Sequence, residues 1–381
     1  MRTKFKKGII LASTGESIFT SGVLVQNIKI FQPDIEVFYI VTDFISSNDQ
    51  KLLEELAFPA RLQIVPFTKD IFQQRLNKFN KSIKYDSKSP SWKRYSFMSF
   101  GRFEALNLLE ECEKILYLDF DMFVQKPFHE LYNLKENIGI TIGGAIIKDA
   151  LGFSVPNVDC TKLNLQSSII LFNSTIKNPQ KVYEDIYRFL SENFNEISNS
   201  RLPDQGVISV VFFRHQLSIC QLDSAIYSAP TTWIKSDNAT IIHAFGSKTR
   251  FWNNKLICAI RPNWLFLYQA WVARGGMPYV NGWVLDENIP LGGGWLYKLH
   301  LNYIVANKLY LLLSNMFEVS INPRLNDKIL INVRIKGRDY ALTCIPKTTD
   351  AVKIRIEERE KTIDITNDDA ETIINWVIKK R

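Results

Sequence analysis

Apolar and polar positions along the first 250 residues fall into a repeating pattern. Short apolar runs at Gly8–Ala12, Val37–Val41 and Arg61–Val65 predict strands. Between them, Val23–Phe31 and Lys51–Ala57 have helical spacing, and Ser13–Ser21 reads as a polar, glycine-containing loop. This rhythm of strand, helix, strand, helix, strand predicts an α/β fold with a doubly wound, largely parallel sheet. No Gly-x-Gly-x-x-Gly follows the first strand, so the usual dinucleotide fingerprint is absent. Further along, 92–110 predicts an aromatic-rich helix bearing Arg94 and Arg102, and 114–119 a buried strand. Leu165–Asn173 predicts another buried strand and Asn178–Asn193 a helix. Pro203-Asp204-Gln205-Gly206 opens a helix or turn leading into Val207–Phe213, and Ala239–Phe245 is the last core strand.

The pattern changes after Pro262. Stretches 262–274 and 294–317 have helical spacing with many aromatics, and Gly275-Gly276 and Gly292-Gly293-Gly294 flank the loop between them. From about 328, Ile331, Val333 and Ile335 alternate with polar residues, then Tyr340, Leu342 and Cys344 after Gly337, then Val352, Ile354 and Ile356. Such period-two alternation predicts strands with one buried face. Asn367-Asp368-Asp369 then caps a short helix. The expected organisation is an α/β domain at 1–261, a helical aromatic-rich extension at 262–319 and a small β-rich domain at 320–381.

Composition narrows the class. The net charge of +8 points to an anionic partner, nucleotide phosphate or acidic lipid. Dispersed basic residues without a basic-aromatic motif argue against nucleic acid. The five cysteines, Cys112, Cys160, Cys220, Cys258 and Cys344, are scattered and contain no Cys-x-x-Cys, so reduced thiols in a cytosolic protein are expected. The basic N-terminus leads into an apolar run too short for a signal peptide, and no run is long enough for a transmembrane helix. Aromatic and basic residues mix in 294–317, which suggests core packing or peripheral contact with an anionic membrane.

The chemistry is densest at Ile115–Phe123, where an apolar strand runs into Asp119 and Asp121. In open α/β sheets the carboxyl end of a strand faces the ligand crevice. Two carboxylates there repel each other unless a cation lies between them. Hard oxygen ligands suit Mn²⁺ or Mg²⁺, ions that commonly bridge phosphates. Acids that merely cap a local turn are the plain alternative.

Tyr117-Leu118-Asp119-Phe120-Asp121 resembles the Tyr-Leu-Asp-x-Asp of family 8 glycosyltransferases, retaining enzymes with a GT-A fold. The resemblance covers about residues 8–255. It implies that Asp119 and Asp121 hold Mn²⁺ on a donor diphosphate. Arg102 falls where that family has an Arg near the donor sugar. Asp204-Gln205 matches its Asp-Gln pair, the Asp on sugar hydroxyls and the Gln near the anomeric carbon. His243, Gly246 and Lys248 resemble its His-x-x-Gly-x-x-Lys-Pro-Trp, which implies a third metal ligand and a phosphate contact. Three departures stand out. The Lys-Pro-Trp end is degraded, with Lys248 one position early and Trp252 four residues later. The family's Ala-Thr-Asp-x-x-Tyr is Ala12-Ser13-Thr14-Gly15-Glu16 here, with Glu16 in reach of the missing base-reading Asp's role. The family's sugar-binding Asn becomes Gln166 in Gln166-Ser167-Ser168.

The resemblance implies transfer of glucose or galactose from a UDP-sugar to a saccharide or lipid-linked glycan, in the cytoplasm or at the inner face of a membrane, in surface polysaccharide synthesis. The expected site is Asp119, Asp121 and His243 for metal, Asp204 and Gln205 for catalysis, and Arg102, Gln166, Lys248, Ala12, Ser13, Thr14 and Gly246 for substrate. Two alternatives accompany it. One is a catalytically degenerate relative that binds sugar or a partner. The other is a haloacid-dehalogenase-type phosphatase, disfavoured because its Asp-x-Asp normally lies near the chain start and Phe123 occupies its usual Thr or Val position.

Overall fold

The computed structural model describes residues 4–231, 234–246, 250–253, 257, 261–279, 305, 308–309, 312–314, 316–322, 329–335, 337–346, 351–356, 359–364 and 367–378. They divide into two compact units: 1–230 with 238–245 and 261–283, and 231–237 with 246–260 and 284–381.

The first unit is built on a seven-stranded sheet of order β3-β2-β1-β4-β7-β6-β8. Its strands are β1 (Phe5–Ala12), β2 (Val37–Thr42), β3 (Arg61–Pro66), β4 (Cys112–Leu118), β6 (Ile138–Ile146), β7 (Leu163–Asn173) and β8 (Ile219–Leu222). β1, β2, β3 and β4 run parallel, β7 runs antiparallel to both β4 and β6, and β6 pairs parallel with β8. Every residue of β2 is buried, as expected of a central strand covered on both faces. A second, three-stranded sheet has the order β5-β10-β9, from Met122–Val124, Ile241–His243 and Ala229–Pro230.

Two expectations for this unit are corrected. The loop expected at Ser13–Ser21 turns helical early: the helix runs Ile18–Phe31, because Ile18 and Phe19 are buried and draw the chain against the sheet. The single helix expected over 92–110 is three pieces: Pro90–Tyr95, a 3-10 stretch at Phe97–Phe103, and Glu104–Leu108. The break lies at Ser96, whose φ of 61° no helix accommodates. Arg102 therefore projects from a tight 3-10 turn.

That turn is held from behind. Glu104 accepts from Arg75 Nη2 at 3.0 Å and from the Tyr183 hydroxyl at 2.8 Å, and a second, short bond joins it to Arg75 Nη1. Arg75 lies on the helix Lys69–Asn77 and Tyr183 on the helix Pro179–Glu192. One buried carboxylate thus ties the segment that carries Arg102 to two helices. The helix Pro262–Ala273 also belongs to this unit. It approaches the helix Ile18–Phe31 closely at Gly22, where an added Cβ would lie 2.3 Å from the Trp271 ring.

The second unit contains a five-stranded antiparallel sheet in sequence order: β11 (Glu318–Asn322), β12 (Ile329–Ile335), β13 (Arg338–Pro346), β14 (Ala351–Ile356) and β15 (Arg359–Asp364). The alternation read from the sequence supplies its inner face: Ile331, Val333, Leu342, Cys344, Val352 and Ile354 are buried. The helix Ala370–Ile378 covers that face through Ile373, Ile374 and Val377, and Asp369 caps it by accepting from the Thr372 N–H at 2.7 Å. Most of the stretch 294–317 lies outside the described residues; of those described, 305, 308–309 and 312–314 are helical, and Val305, Leu309 and Leu313 are buried in the core of this unit. Cys112, Cys160, Cys220 and Cys344 are free thiols, and Cys258 is outside the described residues. No helix among the described residues is long and apolar enough to cross a membrane.

Replacing Glu104 by Ala leaves Arg75 without its buried partner, and breaking such a pair costs about 3–5 kcal/mol. Urea unfolding followed by tryptophan fluorescence should show a lower midpoint for the first unit. A midpoint equal to wild type would contradict this anchoring.

Candidate active site

β4 ends at Leu118, and the chain leaves the sheet through a tight turn. The Asp119 N–H donates to the Ser168 carbonyl at 2.9 Å, and the Met122 N–H returns to the Asp119 carbonyl at 3.1 Å. β5 then pairs antiparallel with β10 in a register that sets Met122 opposite His243, and the Ala244 N–H donates to the Asp121 carbonyl at 2.9 Å. This brings His243 Nε2 within 3.1 Å of Asp121 Oδ1. One ligand atom each from Asp119, Asp121 and His243 lie within 4.8 Å of one another. His243 Nδ1 is 3.2 Å from the Ser228 hydroxyl, which is 3.1 Å from that of Ser168. A hydroxyl accepting from Nδ1–H leaves the Nε2 lone pair for the carboxylate side, the tautomer that a metal needs.

Arg102 joins this cluster to the Asp-Gln pair. Its almost wholly buried guanidinium lies 3.3 Å from Asp119 Oδ1 and 3.3 Å from Asp204 Oδ2. Nε donates to the Ser99 carbonyl at 2.6 Å, Nη1 donates to the Ser167 carbonyl, and the guanidinium sits 4.7 Å from the centre of the Tyr117 ring. The Tyr117 hydroxyl donates to Asp119. Burial pushes the Asp119 carboxyl above its ordinary range; Arg102 opposes that shift and Asp121 adds to it.

An irregularity in the sheet makes these contacts possible. Between β6 and β7 the register jumps from Ile140 opposite Ile170 to Thr141 opposite Gln166. Ser167, Ser168 and Ile169 have no β6 partner there, so Ser167 can turn its carbonyl to Arg102. Bulges of this kind re-aim groups next to functional sites. The helix Pro203–Arg214 starts beside the bulge, its Ser209 hydroxyl accepting from the Leu165 N–H at 2.8 Å. Asp204 and Gln205 occupy its first turn. The Ser167 hydroxyl donates to Asp204 Oδ2 at 2.5 Å, while Asp204 Oδ1 is buried with no partner among the described residues.

The structure thus brings Asp119, Asp121, His243, Arg102, Asp204 and Gln205 together. Ala12 ends β1, the strand next to β4, and Ser13 and Thr14 follow it at the same end of the sheet. Ser13 is buried, with its hydroxyl 3.0 Å from that of Ser21. The Gly15 N–H donates to Asp43 Oδ1 at 2.7 Å, whereas Glu16 is exposed. Gln166 accepts from the Thr141 hydroxyl at 3.1 Å; the residue that reaches Gln205 is Asn164, at 2.6 Å. Gly246 belongs to the second unit and has a φ of 89°. Lys248 lies outside the described residues. Tyr117, Asn164, Ser167, Ser168 and Ser228 were not singled out from sequence. Tyr117, Asn164, Ser167 and Ser168 show only as polar groups inside otherwise apolar strands, and Ser228, which follows the helix Ser224–Tyr227, carries no such sign.

No curated protein matches this sequence. A family model described as glycosyl transferase family 8 matches residues 8–255. Among solved structures, the galactosyltransferase LgtC in complex with donor and acceptor sugar analogs is 14% identical over 70% of this chain and 99% of that chain, with a TM-score of 0.49. An active-site mutant of LgtC is 13% identical over the same shares, with a TM-score of 0.51. Mouse xyloside xylosyltransferase 1 in its apo form is 13% identical over 64% of this chain and 98% of that one, with a TM-score of 0.43. At these identities the likeness is one of fold: the mixed, parallel-rich sheet expected from the sequence is the GT-A arrangement.

Substituting Arg102 by Met strands two carboxylates, and an uncompensated buried charge costs about 3–5 kcal/mol. The thermal midpoint should drop in EDTA and recover in part when Mn²⁺ is added, since the group that would hold a cation includes Asp119 and not Asp204. An equal midpoint for variant and wild type in EDTA would rule out this role for Arg102.

Proposed function

This chain belongs to glycosyl transferase family 8, and from that premise we propose that it is a metal-dependent retaining transferase moving glucose or galactose from a UDP-sugar to a saccharide or lipid-linked glycan. The observation that carries the reading is the buried junction at Arg102. It couples a cation-demanding triad to an Asp-Gln pair through two contacts of 3.3 Å.

The residues fit a divalent ion. Two carboxylates and one imidazole converge, and burial disfavours the charge on Asp119 until a cation shares the site. Two hard oxygens and one nitrogen suit Mn²⁺ or Mg²⁺. Asp119, Asp121 and His243 would hold it. When bound, such an ion neutralises charge on a departing diphosphate.

The remaining groups act on the sugar. Asp204 has one oxygen engaged by Arg102 and Ser167 and the other buried and orphaned, which suits it to accept from a sugar hydroxyl. Gln205 is a neutral amide and neither a strong base nor a good nucleophile. That favours same-face replacement: the bond from the anomeric carbon to the diphosphate breaks as the bond to the acceptor oxygen forms, and the acceptor proton passes to the leaving oxygen. Gln166, Lys248 and Gly246, with Ala12, Ser13 and Thr14 at the end of β1, complete the proposed donor site. We place the reaction in the cytoplasm, with the acceptor met at a membrane face. The net charge of +8 supports attraction to anionic lipid.

The test is thermal unfolding against UDP-, GDP-, ADP- and CMP-sugars, each with Mn²⁺ and with EDTA. A ligand at about 100 times its dissociation constant stabilises the folded state by roughly 2.7 kcal/mol, a visible shift. A UDP-hexose should raise the midpoint only with Mn²⁺, and Asp121→Ala should abolish the effect. No shift with any nucleotide sugar would move the chain to a non-catalytic binding role.

A further inference from the structure

Asn164 is fully buried on β7, and the reading above gives it no part. Its Nδ2 donates to Gln205 Oε1 at 2.6 Å, and its only other side-chain hydrogen bond among the described residues is a long one of 3.5 Å to the Leu165 carbonyl. Its Oδ1 is buried without a partner among the described residues. A buried amide with an orphaned acceptor is less stable than an apolar residue of the same size. Packing alone therefore does not account for an Asn here. Gly143 of β6 sets the position of this amide from the other side: an added Cβ would come within 2.5 Å of Asn164 Oδ1.

The two ends of a Gln amide have nearly the same shape and opposite hydrogen-bonding character. We propose that Asn164 is a positioning residue that fixes which end of the Gln205 amide faces the donor sugar. This rests on the proposed transferase reading of the site. An Asn amide carries a donor end and an acceptor end; the Leu165 carbonyl selects the Nδ2 end of Asn164, so a donor faces Gln205 and holds its Oε1 end. The Nε2 end of Gln205 makes no hydrogen bond with a described residue, and Gln205 itself is half-buried at the edge of the site. The carbonyl is thus turned away from the sugar and the two N–H donors toward it. Gln205 then acts by donating to an oxygen of the donor, and its carbonyl is not the attacking atom. Asn164 exerts its effect only through Gln205, and Gly143 is glycine because any side chain would dislodge Asn164.

Three variants separate this from a structural role. Asn164→Leu removes the amide at nearly constant volume. Asn164→Asp replaces the donor by an acceptor and turns the Gln205 amide round. Gly143→Ala pushes Asn164 aside without changing it. The full-length protein is assayed for hydrolysis of UDP-glucose and UDP-galactose with Mn²⁺, alongside thermal midpoints. A misaligned catalytic group costs about a hundredfold in rate. Asn164→Leu and Asn164→Asp should therefore lower kcat about a hundredfold, with little change in donor KM. Gly143→Ala should act in the same direction, and the midpoint of Asn164→Leu should equal or exceed wild type. In a Gln205→Ala background none of the three should cause a further loss.

Wild-type kcat in Asn164→Leu, a raised KM at unchanged kcat, or losses that multiply with Gln205→Ala would overturn the proposal. If Asn164→Leu does not fold, Asn164→Asp and Gly143→Ala carry the same comparison with Gln205→Ala. A wild type that hydrolyses neither donor removes the transferase reading and this inference with it. An active wild type with unaffected variants removes this inference alone.

Discussion

One buried guanidinium holds the functional end of the first unit together. Arg102 lies between Asp119 and Asp204, which come from segments 85 residues apart in the chain, at 3.3 Å from each. Burying charges is costly unless they are paired and hydrogen-bonded. Here one cation meets two anions, and the Ser99 and Ser167 carbonyls and the Tyr117 ring take up its remaining surface. The local balance is still negative once Asp121 is counted, with one Arg against three carboxylates. Folding thus builds a site whose charge is complete only when a further cation arrives.

What supports Arg102 is as specific as what it touches. Ser96, with its positive φ, ends one helix and lets the 3-10 stretch Phe97–Phe103 begin. Glu104 ties the following turn to Arg75 and Tyr183. The register jump between β6 and β7 frees the Ser167 carbonyl. Each of these departs from regular secondary structure, and each serves to aim a group at one small region. The regular part of the sheet supplies rigidity, and its irregularities supply direction.

This division explains how much was legible in the sequence. The strands β1, β2, β4 and β7 are legible because buried strands are continuous apolar runs, and β3, an edge strand with no buried residue, by its place in the repeat. The acids at the end of β4 were visible because they follow such a run directly. β6 passed unnoticed, since Gly139, Gly143 and Gly144 dilute its apolar pattern. The helical form expected around Arg102 failed because aromatic spacing over 92–110 carries no sign of the Ser96 break. Resemblance to a family directed attention to Gln166, at the position of the family's Asn. The contact to Gln205 instead comes from Asn164, two residues earlier on the same strand. Nothing local marks that choice, because it depends on the bulge and on how close the helix Pro203–Arg214 lies. The β-rich second unit was legible by alternation alone, without any hint of what it does.

The pairing of β5 with β10 has one more consequence. Asp121 and His243 are 122 residues apart in sequence and meet through a ladder of three residue pairs. Contacts of such long separation form late, after the loop-closure entropy of the intervening chain has been met. During synthesis the two carboxylates therefore leave the ribosome well before the imidazole that completes their set. A nascent chain carries only a weak, solvent-open pair of acids, and the full ligand triad exists only once the surrounding unit has closed around it. A cation that needs all three groups would thereby be captured only by the folded protein and would not lock an unfinished arrangement of the strands.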